Sequence, residues 1–368
     1  MKRYNFEVYY DPTKTTSGQR FFKNLYWNLK GCIENNNCRK KVVLCNVSVP
    51  IAKLIRAKIA GQKIIIRIDG LYYDKLSNSF LSRFIFPLKY FLKLGIYFPM
   101  WHDHFAFIAN FIDQNYTAFI RILFADHLIY QSIWSRDVHQ RYFPNKTYTV
   151  ITNGGEFKHD ISNVYKKDKS RIKIAIIYND WKYSKRIVEL IYWVLWVNKN
   201  TNNNILLHIY GYTGKIPVKS SKKLLSLIKE TENIITYPKF TEFDKDLSES
   251  LAKCDLYLTF SNRDPCPNVV VESMSHGLPI VAFDSGGVKD IVKDAGILLK
   301  DKDTDKFYYS YRFDNDFTKI NNKVVIDAVL QVKSNIITYR NKVKYRFQNS
   351  LDIKLISKQY LEVIKKYL

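Results

Sequence analysis

Short runs of apolar residues alternate along this chain with longer amphipathic stretches, and the alternation predicts its elements. Phe6–Tyr10, Val42–Asn46, Ile64–Ile68, Leu128–Gln131 and Tyr148–Thr152 read as strands. Gly18–Leu29, Ile51–Ile59, Phe105–Leu123 and Ile133–Tyr142 read as the helices of that series. This βα rhythm predicts a parallel, doubly wound sheet. It breaks at Lys158–Lys173, where Lys166, Lys167, Lys169 and Arg171 crowd a segment with few apolar residues, the composition of a domain boundary. The rhythm then restarts. Ile172–Ile177, Ile205–Tyr210, Ile234–Tyr237, Leu256–Phe260, Pro279–Phe283 and Ile297–Leu299 read as strands with helical patterns between them. From about Val324 the pattern is helical to the end, and Ile353, Ile356, Tyr360 and Ile364 form one buried stripe. The expected organisation is an α/β chain with domains at 1–157 and 158–345 and a final helical segment, 346–368, that packs back on the first domain.

Composition narrows the setting. Lysine and arginine number 58 against 34 acidic residues, a net charge of +24. An excess of that size fits nucleic acid, an anionic membrane surface or phosphate-bearing small molecules, and equally a basic residue usage with no specific partner. The five cysteines (Cys32, Cys38, Cys45, Cys254 and Cys266) are odd in number and contain no C-x-x-C pair. Neither a disulfide framework nor a zinc ribbon is indicated, and a reducing cytoplasm fits. Glu7 and Asp11 interrupt any signal-peptide core after Lys2 and Arg3. No uninterrupted apolar stretch approaches the ~18 residues of a transmembrane helix, so the expected location is cytoplasmic, with peripheral contact at the inner face of a membrane.

The chemistry concentrates in Leu256–Val292. An apolar strand runs into a polar corner, Ser261 to Pro265; a helix with Val269, Val270 and Met274 follows and ends at Gly277. A second strand leads into Ser285-Gly286-Gly287 and another short helix. Strand, loop, helix, strand and glycine-rich loop make a βαβ unit. Its loops place backbone N–H groups at helix N-termini, where phosphate is favoured. Asp264 stands at the corner, and Glu272 lies further along the helix.

These residues resemble the C-terminal signature of the retaining glycosyltransferases of family four. The likeness rests on Asp255 to Ser261, Asp264-Pro-Cys-Pro-Asn268 through Glu272, Gly277 to Val281, and Ser285-Gly-Gly287. Tyr130–Asp137 and Thr149–Gly155 are similar to two further family segments, so the resemblance covers most of residues 60–300. It implies the GT-B fold, two Rossmann-like doubly wound domains with C-terminal helices. It also implies transfer of a sugar from a nucleoside-diphosphate sugar to a glycan or lipid-linked acceptor with retention of configuration. The setting would be synthesis of surface polysaccharide, lipopolysaccharide or protein glycan. The donor is a substrate, and no cofactor is expected. No Asp-x-Asp pair occupies a donor loop, so metal independence is expected too.

The same resemblance assigns roles. Glu272 would accept hydrogen bonds from the ribose hydroxyls. Asp264 stands where the family has a first glutamate and would contact the donor sugar; an aspartate here also suits a helix N-cap. Pro267, Asn268 and Val269, with Ser285 and Gly286, would line the sugar and phosphate. Pro267 has no N–H to offer, which leaves the grip to its neighbours. Lys185 aligns with the family's diphosphate lysine. Asp180 occupies the usual arginine position, leaving Lys182 or Arg186 as substitutes. In the N-terminal half, Gly18 matches a glycine loop facing the diphosphate, His102 or His104 a histidine at the donor sugar, and Asp69 a position beside the acceptor. Phe80–Trp101 mixes aromatics with Arg83, Lys89 and Lys93, which suits an interfacial segment on anionic lipid or a wall of the acceptor pocket. The changed first carboxylate and absent arginine leave a non-catalytic GT-B scaffold as the competing class. A nucleic-acid partner has only the net charge behind it and is not expected.

Overall fold

The computed structural model describes residues 2–13, 17–34, 40–68, 118–140, 143–158, 170–178, 185–212, 221–238, 245–300 and 321–368. The chain divides into two units, Met1–Gly154 with Ile353–Leu368, and Gly155–Asp352.

In the first unit five parallel strands lie side by side in chain order: β1 (Phe6–Tyr9), β2 (Val42–Asn46), β3 (Lys63–Ile68), β4 (His127–Tyr130) and β5 (Tyr148–Val150). Both faces are covered, which is why β2 is buried at every position. On one face α1 (Ser17–Leu29) sets Phe21, Phe22, Leu25 and Leu29 against Phe6, Val42, Leu44 and Ile65. The last helix of the chain, Ile353–Lys365, adds Ile353, Ile356, Tyr360 and Ile364 to that face, the stripe its spacing predicts. On the other face α2 (Ile51–Ile59) buries Leu54 and Ala57, next to Ile122 and Ala125. A further helix, α3 (Ile133–Gln140), follows β4.

The second unit holds six parallel strands: β6 (Ile172–Ile177), β7 (Ile205–Tyr210), β8 (Ile234–Tyr237), β9 (Leu256–Thr259), β10 (Ile280–Phe283) and β11 (Gly296–Leu299). Their order is β11-β10-β9-β6-β7-β8. The chain builds outward from β6 through β7 to β8, then returns to lay β9, β10 and β11 on the other side. The helices between them are α4 (Ile187–Asn200), α5 (Ser221–Glu230), α6 (Lys245–Ala252), α7 (Asn268–Ser275) and α8 (Val288–Val292). α4 is apolar almost all round because it is packed on two sides: Leu190, Ile191, Trp193 and Val194 share a core with Ile174, Ile176 and Leu258 and with Val325, Val329 and Val332.

The helical tail is jointed. α9 (Asn322–Ser334) is capped by the Asn321 side chain and stops at Asn335; α10 (Ile336–Arg346) passes into a π-helical turn over Phe347–Leu351; α11 (Ile353–Lys365) returns to the first unit. A buried ion pair fixes α9 to the sheet: Lys333 Nζ lies 2.7 Å from Asp255 Oδ2, which also accepts the Lys173 N–H. Asp255, part of the sequence signature, therefore has a structural partner at the amino end of β9. Phe80–Trp101 lies outside the described residues. No helix among the described residues is long and apolar enough to cross a membrane.

Candidate functional site

The strand order of the second unit places a topological switch point between β6 and β9, since the connections leave these neighbours in opposite directions. Ligands of open α/β sheets bind beyond the carboxyl ends of such strands. Lys185 follows β6 and Asp264 follows β9; their side chains meet, with Nζ 2.5 Å from Oδ2. Each is about one-fifth exposed (21%), sheltered enough to strengthen the attraction and open enough to meet a solute.

The corner that presents Asp264 is held from several sides. Asp264 Oδ1 accepts the Cys266 N–H at 3.2 Å, and its carbonyl accepts the Gly287 N–H at 2.8 Å. Arg263 sits in the left-handed region at φ 53, its N–H donating to Ser285 Oγ, which in turn donates to Asn262 Oδ1. A non-glycine residue held there stores strain that the surrounding bonds must offset. Gly286, at φ +70, lies so close that a Cβ on it would come 2.3 Å from the Asp264 carbonyl oxygen. Only glycine fits both the backbone angle and the gap. The loops after β9 and β10 are thus locked together, and Lys185, just before α4, is tied to them through Asp264.

α7 begins directly behind this corner. Its N-cap is Pro267, with no side-chain cap bond, so Asp264 is not the helix cap that an aspartate before a helix suggests. Asn268 and Val269 occupy the first turn, where the helix's own ladder leaves N–H groups without i−4 partners. Glu272 is half-buried in the next turn; its carbonyl accepts Ser275 Oγ and His276 Nδ1, which closes the helix before Gly277. Beneath these groups runs a buried hydroxyl chain: Tyr178 Oη to Thr259 Oγ1 at 3.2 Å, and Thr259 to Ser261 at 2.9 Å. Burial pushes the Tyr257 phenol well up, and the Glu272 charge adds to this.

Lys185, Asp264, Pro267, Asn268, Val269, Glu272, Ser285 and Gly286 all belong to the loops and helix at this edge of the second unit. Arg186 is turned inward: its guanidinium pairs with Glu189 and stacks 5.2 Å from the centre of the Phe283 ring. Gly18 is the second residue of α1, past the carboxyl end of β1 in the first unit; beside it Gln19 accepts the Asp11 N–H at 2.8 Å. Lys182, Asp69, His102 and His104 lie outside the described residues. Sequence reasoning missed the hydroxyl chain and a buried network in the first unit, where Arg67 donates to Asn153, Asn153 to Gln131, and Gln131 to the Ile68 carbonyl. An arginine inside the isoleucine run of β3 was its one visible signal. Among the described residues no group of three His, Cys, Asp or Glu is arranged to hold a metal ion.

Residues 158–308 match the family model described as Glycosyl transferases group 1. No curated protein matches the chain at sequence level. Among solved structures it is similar to the pneumococcal O-GlcNAc transferase GtfA in complex with UDP and GlcNAc, at 15% identity and a TM-score of 0.59, covering 94% of this chain and 60% of that one. It is similar to TarM at 18% identity and a TM-score of 0.57, covering 94% and 58%. The lipopolysaccharide outer core galactosyltransferase WaaB, in its apo form, matches at 15% identity and a TM-score of 0.56, covering 95% and 81%. The chain thus spans about three-fifths of the length of the pneumococcal transferase. At these identities the likeness shows the fold, GT-B.

Proposed function

We propose that this chain, whose residues 158–308 match the group 1 glycosyl transferase model and whose fold is GT-B, transfers a sugar from a nucleoside-diphosphate sugar to a glycan or lipid-linked acceptor with retention of configuration. The observation that carries the proposal is the Lys185–Asp264 pair at the switch point, backed by the first turn of α7 and the loop at Gly286. Glu272 would hold the ribose hydroxyls. The α7 N–H groups and Lys185 would face the diphosphate, Lys185 sharing its charge between the leaving group and Asp264. Asp264, held by the N–H groups of Cys266 and Gly287, would present its carboxylate to donor hydroxyls. Attack by the acceptor on the face that the diphosphate leaves, with that phosphate taking the acceptor proton, needs no side-chain nucleophile, cofactor or metal. Catalysis would then rest on positioning and charge stabilisation. Arg186, engaged by Glu189, would support the Lys185 loop rather than touch the donor. The acceptors in view are surface polysaccharide, lipopolysaccharide or protein glycan. Action on a lipid-linked acceptor would suit a cytoplasmic enzyme at the inner face of a membrane.

The test is a thermal-shift panel of nucleoside diphosphates and their sugars on the full chain, followed by detection of transfer or slow donor hydrolysis. A ligand at 100 times its Kd stabilises the native state by about 2.7 kcal/mol. Glu272→Ala should abolish the shift, and Lys185→Ala should lower turnover by about 10²–10³-fold. Variants that bind and turn over the donor like the parent would overturn the assignment. Donor binding without turnover on any acceptor would favour a non-catalytic scaffold.

A further inference from the structure

We infer that the outward face of α2, continued by Leu123, is a docking surface for an anionic lipid bilayer. α2 is apolar on two faces. Leu54 and Ala57 are buried against the sheet, whereas Ile55 and Ile59, one turn apart on the outer side, are 43% and 80% exposed. Leu123 is 66% exposed. The segment carrying it runs alongside α2: Arg121 Nε donates to the Val49 carbonyl before α2 begins, and Lys58 near the end of α2 pairs with Asp126 at 2.7 Å. Exposed aliphatics scattered singly need no explanation, but three on two adjoining segments make a patch.

Cations frame that patch. Arg56 and Lys58 lie on α2 itself, Lys63 Nζ stands 3.7 Å from Asp126, and Lys146 Nζ donates to the carbonyls of Leu123 and Ala125. Asp126 is the acidic group these contacts share, and it is divided between Lys58 and Lys63, which leaves the region net positive. Branched aliphatics pointing outward with long basic side chains on their flanks match an acyl boundary overlaid by anionic headgroups, where each lysine or arginine adds to the attraction. Charge complementarity favours such a surface over a neutral one, and the protruding isoleucines favour a bilayer over an acidic protein face. Lys63 opens β3, and Asp126 and Lys146 stand just before β4 and β5, so much of the framing charge gathers at the amino edge of the sheet. The inference is independent of the reaction proposed above.

The experiment is co-sedimentation of the full chain with vesicles of pure phosphatidylcholine and vesicles carrying about 30% phosphatidylglycerol, at low and physiological salt. Anionic vesicles should bind and neutral ones should not, with weakening as salt rises. Arg56→Glu with Ile59→Asn, both exposed, should lower the partition coefficient at least about tenfold while the melting transition stays in place. Ile337→Asn with Tyr345→Asn serves as the control, altering exposed apolar residues two turns apart on α10. Loss of binding in the control as large as in the α2 variant, or equal binding by parent and α2 variant, would overturn the assignment. So would no binding by the parent, or equal binding to neutral vesicles. A concentration-dependent dimer in sedimentation velocity, abolished by the α2 variant, would transfer the surface to a second copy of the chain.

Discussion

Replacing Gly286 with alanine tests the packing of the candidate site most directly, because two separable costs meet there. The first is conformational. At φ +70 an L side chain is strained by about 1–2 kcal/mol. The second is contact. The new Cβ would stand 2.3 Å from the Asp264 carbonyl oxygen, where ordinary contact begins near 3.4 Å, and the neighbouring Asp264 N and C are at 2.8 and 2.9 Å. Backbone cannot swing aside like a side-chain tip, so the two loops must part by roughly 1 Å. That movement stretches the 2.8 Å bond from Gly287 N–H to Asp264 beyond bonding range, a loss of about 0.5–1.5 kcal/mol. A total cost of about 1.5–3.5 kcal/mol is expected, and Asp264 is drawn off Lys185 in the process. Two other glycines separate the terms. Gly61 has φ +67 and nothing within 4 Å of a Cβ, so Gly61→Ala measures strain alone. Gly296 meets the Ile280 carbonyl at 2.1 Å but has no positive φ, so Gly296→Ala measures a clash within the β10–β11 pair, away from Asp264. The assay is urea unfolding with the buried Trp193 as reporter for the second unit and circular dichroism for the whole chain, beside binding of the donor nucleotide. Gly286→Ala should lose both stability and nucleotide affinity, Gly296→Ala stability only, and Gly61→Ala only the strain of about 1–2 kcal/mol. If Gly286→Ala costs no more than Gly61→Ala, the loops are not locked as described and the reasoning fails.

Two further outcomes are expected. Asp255→Ala leaves Lys333 buried without its carboxylate and should destabilise the second unit by about 3–5 kcal/mol; Asp255→Asn with Lys333→Met should recover part of that loss, measured by the same urea titration. His208, buried beside Tyr237, has its pKa lowered from 6.5 to about 4, by burial first and the Lys173 charge second. Between those values the unfolded chain takes up a proton that the native one refuses. Stability therefore falls as pH drops from 6.5 toward 4, by roughly 3 kcal/mol in all for this residue. His208→Gln should flatten the acid limb of a stability–pH profile accordingly, and an unchanged slope would contradict the assignment.

Much of the fold was legible because its cues are local. Val42–Asn46, Ile51–Ile59 and Ile205–Tyr210 coincide with β2, α2 and β7, since parallel strands covered on both faces and an amphipathic helix each carry a short-range pattern. Leu256–Val292 was readable for the same reason: its strand, corner, helix and glycine turn are neighbours in sequence as well as in space. What escaped were contacts between distant segments. The order β11-β10-β9-β6-β7-β8 depends on which strands meet, and no run of residues encodes that β9 returns to β6.

The partner of Asp264 illustrates the boundary. As an aspartate before a helix it suits an N-cap. Yet Pro267 occupies the cap, and the carboxylate faces Lys185, 79 positions away in the chain. Its neighbour Arg186 carries the same charge but faces the core, because a left-handed backbone at φ 50 turns its side chain toward Glu189 and Phe283. Two adjacent cations thus diverge through one backbone dihedral. Composition treats Lys185 and Arg186 as equivalent; the strand they follow and the angle between them decide which one meets the solvent-facing carboxylate at the switch point.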